Sequence, residues 1–148
     1  QDQQALGRLY AHLEPGGCLV LDNEVPYSDA RRWALWPTGR EGELPEPPMA
    51  PGRRMVGPDG DEYALVSRML DLDPLRQQQV WQIHAYRWRD DVLITEETNY
   101  LTANLYFGSE LVLMLERAGF SRVEVRGAYN DLPPTADDKF LVYVAIRE

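Results

Sequence analysis

Apolar positions recur along this chain with two different periods, and the switches between them divide it. In residues 4–13, Leu6, Leu9, Tyr10 and Leu13 fall at i, i+3, i+4 and i+7, the spacing that gathers apolar side chains on one face of a helix. Pro15-Gly16-Gly17 stops that helix, because proline cannot continue the hydrogen-bond ladder and glycine accepts the left-handed conformation after a helix end. Cys18-Leu19-Val20-Leu21 is then a short continuous apolar run. The run predicts a strand covered on both faces of a parallel sheet, with Cys18 a buried small hydrophobe. Asp22, Asn23 and Glu24 follow at its carboxyl end, the edge of an open α/β sheet where ligands bind.

The pattern breaks down between residues 28 and 61. Six of the eleven prolines and five of the eleven glycines lie in residues 37–60, too many for a helix or a central strand. A long mobile connection is expected there, with a lid as the functional alternative. From residue 62 to 107 the period is two. Residues 63–70 read as a strand and Asp71-Leu72-Asp73-Pro74 as a turn. Residues 77–88 alternate, with Val80, Gln82, His84, Tyr86 and Trp88 on one face. Asp90-Asp91 reads as a tight reversal into a strand at 92–105, which completes a three-stranded antiparallel layer. Helical spacing returns with Leu111, Met114, Leu115 and Ala118, with Ser109 as the expected N-cap and Gly119 as the C-cap. Strands at 123–125 and 140–146 close the chain.

Composition narrows the function classes. The chain has 148 residues, 44% of them hydrophobic, and a formal net charge of −9. That is one domain's worth of chain with enough apolar content for a core. The acidic balance, with no cluster of basic residues, argues against a nucleic-acid partner. No stretch approaches a membrane span, and no membrane partner is expected. A soluble, cytoplasmic protein follows by default. One cysteine allows no internal disulfide, and no Cys, His or acidic cluster has metal-ligand spacing, so no metal site is expected.

Two segments in this order carry a resemblance. The helix ending in Leu13-Glu14-Pro15-Gly16-Gly17 and running into the apolar strand at 18–21 resembles the fourth helix and fifth strand of class I S-adenosylmethionine-dependent methyltransferases. Ser109 to Phe120, with Ala118-Gly119-Phe120 at its end, followed by Val123-Glu124-Val125, resembles that family's last helix and sixth strand. The closing strand, Lys139 to Arg147, is similar to its seventh, which inserts antiparallel between the fifth and sixth. The segment 62–107 is similar to the antiparallel substrate-side layer of the small-molecule branch. The resemblance implies an α/β fold: the C-terminal half of a Rossmann-like methyltransferase sheet, strands five to seven, with a three-stranded antiparallel insert. Residues 1–148 would then be a single partial domain, with 1–27 and 109–148 forming the sheet and helices.

The resemblance also implies S-adenosylmethionine as the cofactor of the complete protein and a small molecule as substrate. A Gly-rich turn running from a strand into a helix, which would approach the cofactor, is absent from the sequence. No cofactor-binding residue is therefore assigned in this chain, and tight cofactor binding by it is not expected. Either a missing N-terminal half or self-association would cover the unpaired sheet edge.

Candidate chemistry is sparse. His84, mid-strand in the substrate-side layer, is the candidate general base, its alternative being a hydrogen-bonded histidine on a half-buried sheet. Asn23, Glu24 and Tyr27 lie past the strand at 18–21 and are candidates for substrate contact. Trp33, Tyr86, Tyr100 and Tyr106 are candidates for an aromatic substrate wall, although Trp33 and Trp36 equally suit one face of a short helix. His12 reads as a dipole-favoured residue at a helix end. Glu96-Glu97 and Asp137-Asp138 read as solvated charges. A reading from another class, a non-catalytic α+β module whose curved sheet at 62–107 encloses an apolar ligand, fits the aromatic strand but not the opening helix and strand.

Overall fold

In chain order the elements are α1 (Asp2–His12), β1 (Cys18–Glu24), α2 (Ala30–Ala34), β2 (Met55–Val56), β3 (Glu62–Asp73), β4 (Gln78–Arg89), β5 (Val92–Asn104), α3 (Gly108–Ala118), β6 (Arg122–Gly127) and β7 (Phe140–Ile146). The computed structural model describes residues 1–36 and 43–148. Residues 37–42 of the Pro/Gly-rich connection lie outside the described residues. The chain divides into two compact units, one of residues 1–34 and 106–148 and the other of residues 35–105.

The first unit is a three-stranded sheet with helices α1 and α3 packed into one core. The strand order is β1-β7-β6, and β7 runs antiparallel to both neighbours. Leu6, Val25, Leu111, Leu115, Phe120, Leu141, Tyr143 and Ala145 form the buried core. Gly119 ends α3 at φ +114°, and a Cβ there would lie 3.0 Å from the Tyr10 ring. Glycine is therefore required twice, for the left-handed cap and for the close approach. Tyr10 in turn meets Phe120 edge to face at 5.1 Å.

The C-terminal end of α1 is held from the far end of the chain. Arg147 Nη1 donates to the carbonyls of Tyr10, Ala11 and Leu13 at 3.0, 3.2 and 2.6 Å, three acceptors of the kind a helix end leaves unsatisfied. The backbone beside it pairs with the glycine stop: Gly16 N–H donates to Arg147 O, and Arg147 N–H to Gly17 O.

Several expectations change here. Strand β1 is not covered on both faces. Its exposure alternates along its length, Val20 is 57% exposed, and Cys18 is exposed rather than buried. Its neighbour β7 is antiparallel, so one side of the strand packs on the core through Leu19 and Leu21 while the other faces outward. Ser109 does not cap α3. Phe107 is the N-cap, and its N–H donates to the Glu110 carboxylate at 2.8 Å.

The second unit is a four-stranded antiparallel sheet of order β2-β3-β4-β5, one strand more than the sequence pattern suggests. The two-residue β2 carried too little pattern to be read. Residues 71–73 belong to β3, and the turn is residues 74–77, with Gln77 at φ +52°. A register shift between Met69 and Asp71 absorbs an extra residue, and a bulge of this kind redirects the side chains that follow. Asp90 and Asp91 both take positive φ, as a two-residue hairpin turn requires. Leu35, Met69 and Leu72 form a small buried cluster with Trp36, Leu44, Trp81 and Leu105 around it.

Much of this unit is held by ion pairs. Asp61 is only 2% exposed. It accepts from Arg89 Nε and Nη2 at 2.8 and 2.9 Å and from Arg87 Nε at 2.5 Å. These arginines hold its carboxyl below the usual range, against the desolvation that burial imposes. Asp59 beside it accepts from the Tyr63 hydroxyl at 2.6 Å and from Arg87 Nη2 at 3.0 Å. The turn at 57–60 is thereby fastened to β4.

Candidate functional site

The first unit brings five of the sequence-selected residues to the carboxyl end of β1. Asn23 Nδ2 donates to the Tyr106 carbonyl at 2.9 Å, which ties the end of β1 to the approach to α3. The Tyr106 hydroxyl donates to Asp2 at 2.5 Å. Glu24 accepts from Ser28 Oγ at 3.0 Å and sits 3.6 Å from Arg32. Trp33 stands edge-on to Tyr27 at 6.4 Å and to Phe107 at 6.2 Å. Trp36 belongs to the other unit's cluster, so the two tryptophans do not share a helix face.

Sequence reasoning missed Tyr143 here, because it reads as one more apolar position in a buried strand. Its side chain is fully buried and its hydroxyl makes no hydrogen bond of good geometry. Burial, reinforced by the Tyr27 phenol and only partly opposed by the Asn23 amide, pushes the Tyr143 phenol up to about 12. It stays protonated at any physiological pH.

The second unit gathers His84, Tyr86 and Tyr100 on one face. His84, Tyr86 and Trp88 alternate along β4 and their rings stack at 6.1 and 5.6 Å with planes 17° and 20° apart. Arg54 lies 4.2 Å over the Trp88 ring and bonds Glu62 and Asp91. His84 Nδ1 is 3.0 Å from Thr98 Oγ1 and 3.9 Å from Glu96 Oε1, both on the neighbouring strand β5. Glu96 itself stays exposed. Tyr100 bonds Gln82 through its hydroxyl at 3.1 Å. Tyr106, expected in the same layer, lies in the first unit instead.

Residues 46–49 were missed as well. With Val66, Ser67, Arg68, His84 and Tyr86, residues Pro48 and Met49 line a pocket of about 100 Å³. Only the proline content of this stretch was visible in the sequence. His12 Nδ1 lies 2.7 Å from the Arg8 carbonyl of its own helix, and Asp138 accepts from Thr135 within its loop, so both serve local structure.

No group of three or more potential metal ligands gathers among the described residues. Among the described residues, neither glycine pair forms a cofactor cradle. Gly16-Gly17 leads into strand β1, and the Gly57–Gly60 turn joins strands β2 and β3. Neither turn opens a helix, so neither offers the helix N-terminus that such a cradle uses. Among the described residues no helix is long and apolar enough to cross a membrane.

No family model and no curated protein matches the sequence. Solved structures do match. An S-adenosylmethionine-dependent methyltransferase from Clostridium acetobutylicum ATCC 824 superimposes with a TM-score of 0.63 at 10% identity, over 98% of this chain and 50% of that one. The CcbJ methyltransferase from Streptomyces caelestis does so with a TM-score of 0.55 at 19% identity, over 99% and 52%. The likeness is one of fold. The chain spans about half the length of both relatives.

Proposed function

We propose that this chain is the C-terminal portion of an S-adenosylmethionine-dependent methyltransferase acting on a small molecule, and that it contributes the substrate-binding side. The observation that carries the reading is the match of nearly the whole chain to half of two such enzymes. The strand order supports it: β7 lies between β1 and β6 and antiparallel to both, as the family's seventh strand lies between its fifth and sixth. In this reading the sheet of the second unit is the substrate-side insert. The binding-module alternative is not favoured by these neighbours.

The described residues offer no cradle that fits the cofactor, so none is assigned to it and no step is derived through it. The cofactor-binding half belongs to the complete protein, which we place in the cytoplasm. His84 is the residue we assign as base. With the proton on Nδ1, Thr98 Oγ1 accepts it and the nearby Glu96 carboxylate favours that tautomer. Nε2 then carries the lone pair that takes a proton from an acceptor hydroxyl or amine. Asn23, Glu24, Tyr27, Trp33 and Tyr106 are our candidates for substrate contact within the first unit, and Tyr86 and Tyr100, taken separately, those of the second.

The test is a calorimetric titration of S-adenosylmethionine into the 148-residue chain, beside the same titration and a methyl-transfer assay on the chain extended through its upstream reading frame. We expect no saturable binding to the short chain and micromolar binding with activity in the extended one. Micromolar binding to the short chain would overturn the division of labour. An extended chain without cofactor affinity would overturn the methyltransferase reading itself.

A further inference from the structure

The stretch Glu46-Pro47-Pro48-Met49 has no regular structure, yet three hydrogen bonds fix where it lies. Glu46 N–H donates to the Met69 carbonyl at 2.9 Å, Met69 N–H donates to the Glu46 carboxylate at 2.7 Å, and Arg68 Nη1 donates to the Glu46 carbonyl at 3.0 Å. Glu46 therefore pairs with β3 through both backbone and side chain, at the position where the β3 register shifts. Two prolines follow at once, and their fixed φ stiffens the chain that leaves this anchor. Pro48 and Met49 then lie over Val66, His84 and Tyr86.

We propose that residues 46–49 are the roof of a pocket that takes a single uncharged planar ring of the substrate, an inference that rests on the substrate-side role proposed above. Size sets the first limit. The pocket measures about 100 Å³, against the ~150 Å³ of an engineered cavity that holds benzene, and its open mouth leaves room for substituents outside. Shape sets the second, since the floor presents the neighbouring rings of His84 and Tyr86 and the branched Val66. Met49, 62% exposed, supplies an unbranched thioether that adapts to an aromatic surface.

Charge sets the third limit. Arg68 keeps its charge, but its Nε donates to the Gln82 amide oxygen at 2.6 Å and its Nη1 to the Glu46 backbone carbonyl, so the donors that would grip an anion's oxygens are engaged elsewhere. The Glu96 carboxylate close to His84 further disfavours an anionic ring. For recognition the lining offers a His84 ring nitrogen beside the Ser67 and Tyr86 hydroxyls, which suits a ring hydroxyl or amino group.

The probe is phenol, titrated into the 148-residue chain and followed through the Met49 methyl and His84 ring resonances, with cyclohexanol and benzoate as controls. We expect saturable shifts at both residues with a Kd on the order of 1 mM, as a seven-atom ligand allows. Cyclohexanol and benzoate should bind at least about fivefold more weakly. Met49→Ala, an exposed change that leaves the sheet intact, and Glu46→Ala, which frees the roof, should each weaken phenol binding by about fivefold or more. Equal binding of the controls, shifts confined to other residues, or unchanged affinity in both variants would overturn the pocket. The outcome is separable from the cofactor titration. A methyltransferase that ignores phenol sinks this inference alone, and phenol binding in a chain whose extended form lacks cofactor affinity sinks only its assignment to a methyl acceptor.

Discussion

The two units of this chain reach stability by different routes. The first has a contiguous core, in which Leu115 and Tyr143 are fully buried and two helices pack against the sheet. The second is a long sheet whose last strand, β5, is exposed along nearly its whole length, and its deepest polar residue is a carboxylate clamped by two arginines. Apolar burial dominates the first unit, while directional pairing does much of the work in the second. A unit of the second kind tolerates loss of volume and suffers loss of charge.

Truncating equivalent leucines should produce the largest difference. Leu115→Ala removes a fully buried side chain from the centre of the first core and should cost about 3–4 kcal/mol. Leu72→Ala, in the small cluster of the second unit, should cost about 2 kcal/mol, because fewer packed neighbours hold the cavity open. Chemical denaturation, with hydrogen exchange to locate the loss, measures both. Equal costs would remove the contrast.

The units should also fail at opposite ends of the pH scale. Asp61 and Asp59 are held below their ordinary values, Asp61 mainly by Arg89 and Asp59 mainly by the Tyr63 hydroxyl. Their contribution is present above about pH 4 and is lost as pH falls through the lowered folded values. Amides of β2 and β3 should therefore exchange faster first in acid, and Asp61→Asn should bring the same loosening to neutral pH. Tyr143 behaves oppositely. Its phenol keeps its proton in the fold up to about 12, so between pH 10 and 12 an unfolded chain ionises it and the folded one does not. Stability is full below pH 10 and should fall by about 2–3 kcal/mol as pH rises to 12. Tyr143→Phe should remove that loss. Tyr63 and Tyr129 are raised too, through hydrogen bonds to Asp59 and Asp22, but they lie nearer solvent and should contribute less.

What could be read in the sequence follows the same division. The elements of the first unit announce themselves locally: a helix stop at Pro15-Gly16-Gly17 and a left-handed cap at Gly119 each need only their neighbours. The strand at 18–21 is legible but its burial is not, since a four-residue apolar run looks alike whether one face is covered or two. Val20 faces outward because β1 continues through Asp22, Asn23 and Glu24 with alternating exposure. In the second unit the hairpin was legible from its alternation and from Asp90-Asp91. The roof over His84 was not, because it depends on Glu46 bonding Met69 across 23 residues. Likewise, the Asp61 clamp joins residues 26 and 28 positions apart, and no local signal marks a pairing of that kind. Of the residues selected from the sequence, Asn23, Glu24, Tyr27, Trp33 and Tyr106 lie in the first unit and His84, Tyr86 and Tyr100 in the second, a division no local pattern marks, while Tyr143 is hidden by its own strand.

The smallest effect tests whether directional pairing matters in the first unit at all. Arg147 caps α1 with three hydrogen bonds to carbonyls and lies 4.7 Å from the Tyr10 ring. A cation at a helix C-terminus is favoured by the dipole as well as by the bonds themselves. Arg147→Ala should therefore cost about 1–2 kcal/mol, less than any core truncation in that unit. Arg147→Lys should recover only part of this loss, since an ammonium group restores the charge and the N–H donors but has a shorter reach and loses the planar group over the Tyr10 ring. Hydrogen exchange should show the loss in α1 and at Gly16 and Gly17, with α3 unchanged. If Arg147→Ala instead destabilised the unit as strongly as Leu115→Ala, the cap would be holding the core together, and the distinction between a packed unit and a paired one would fail in the unit where it is drawn most firmly.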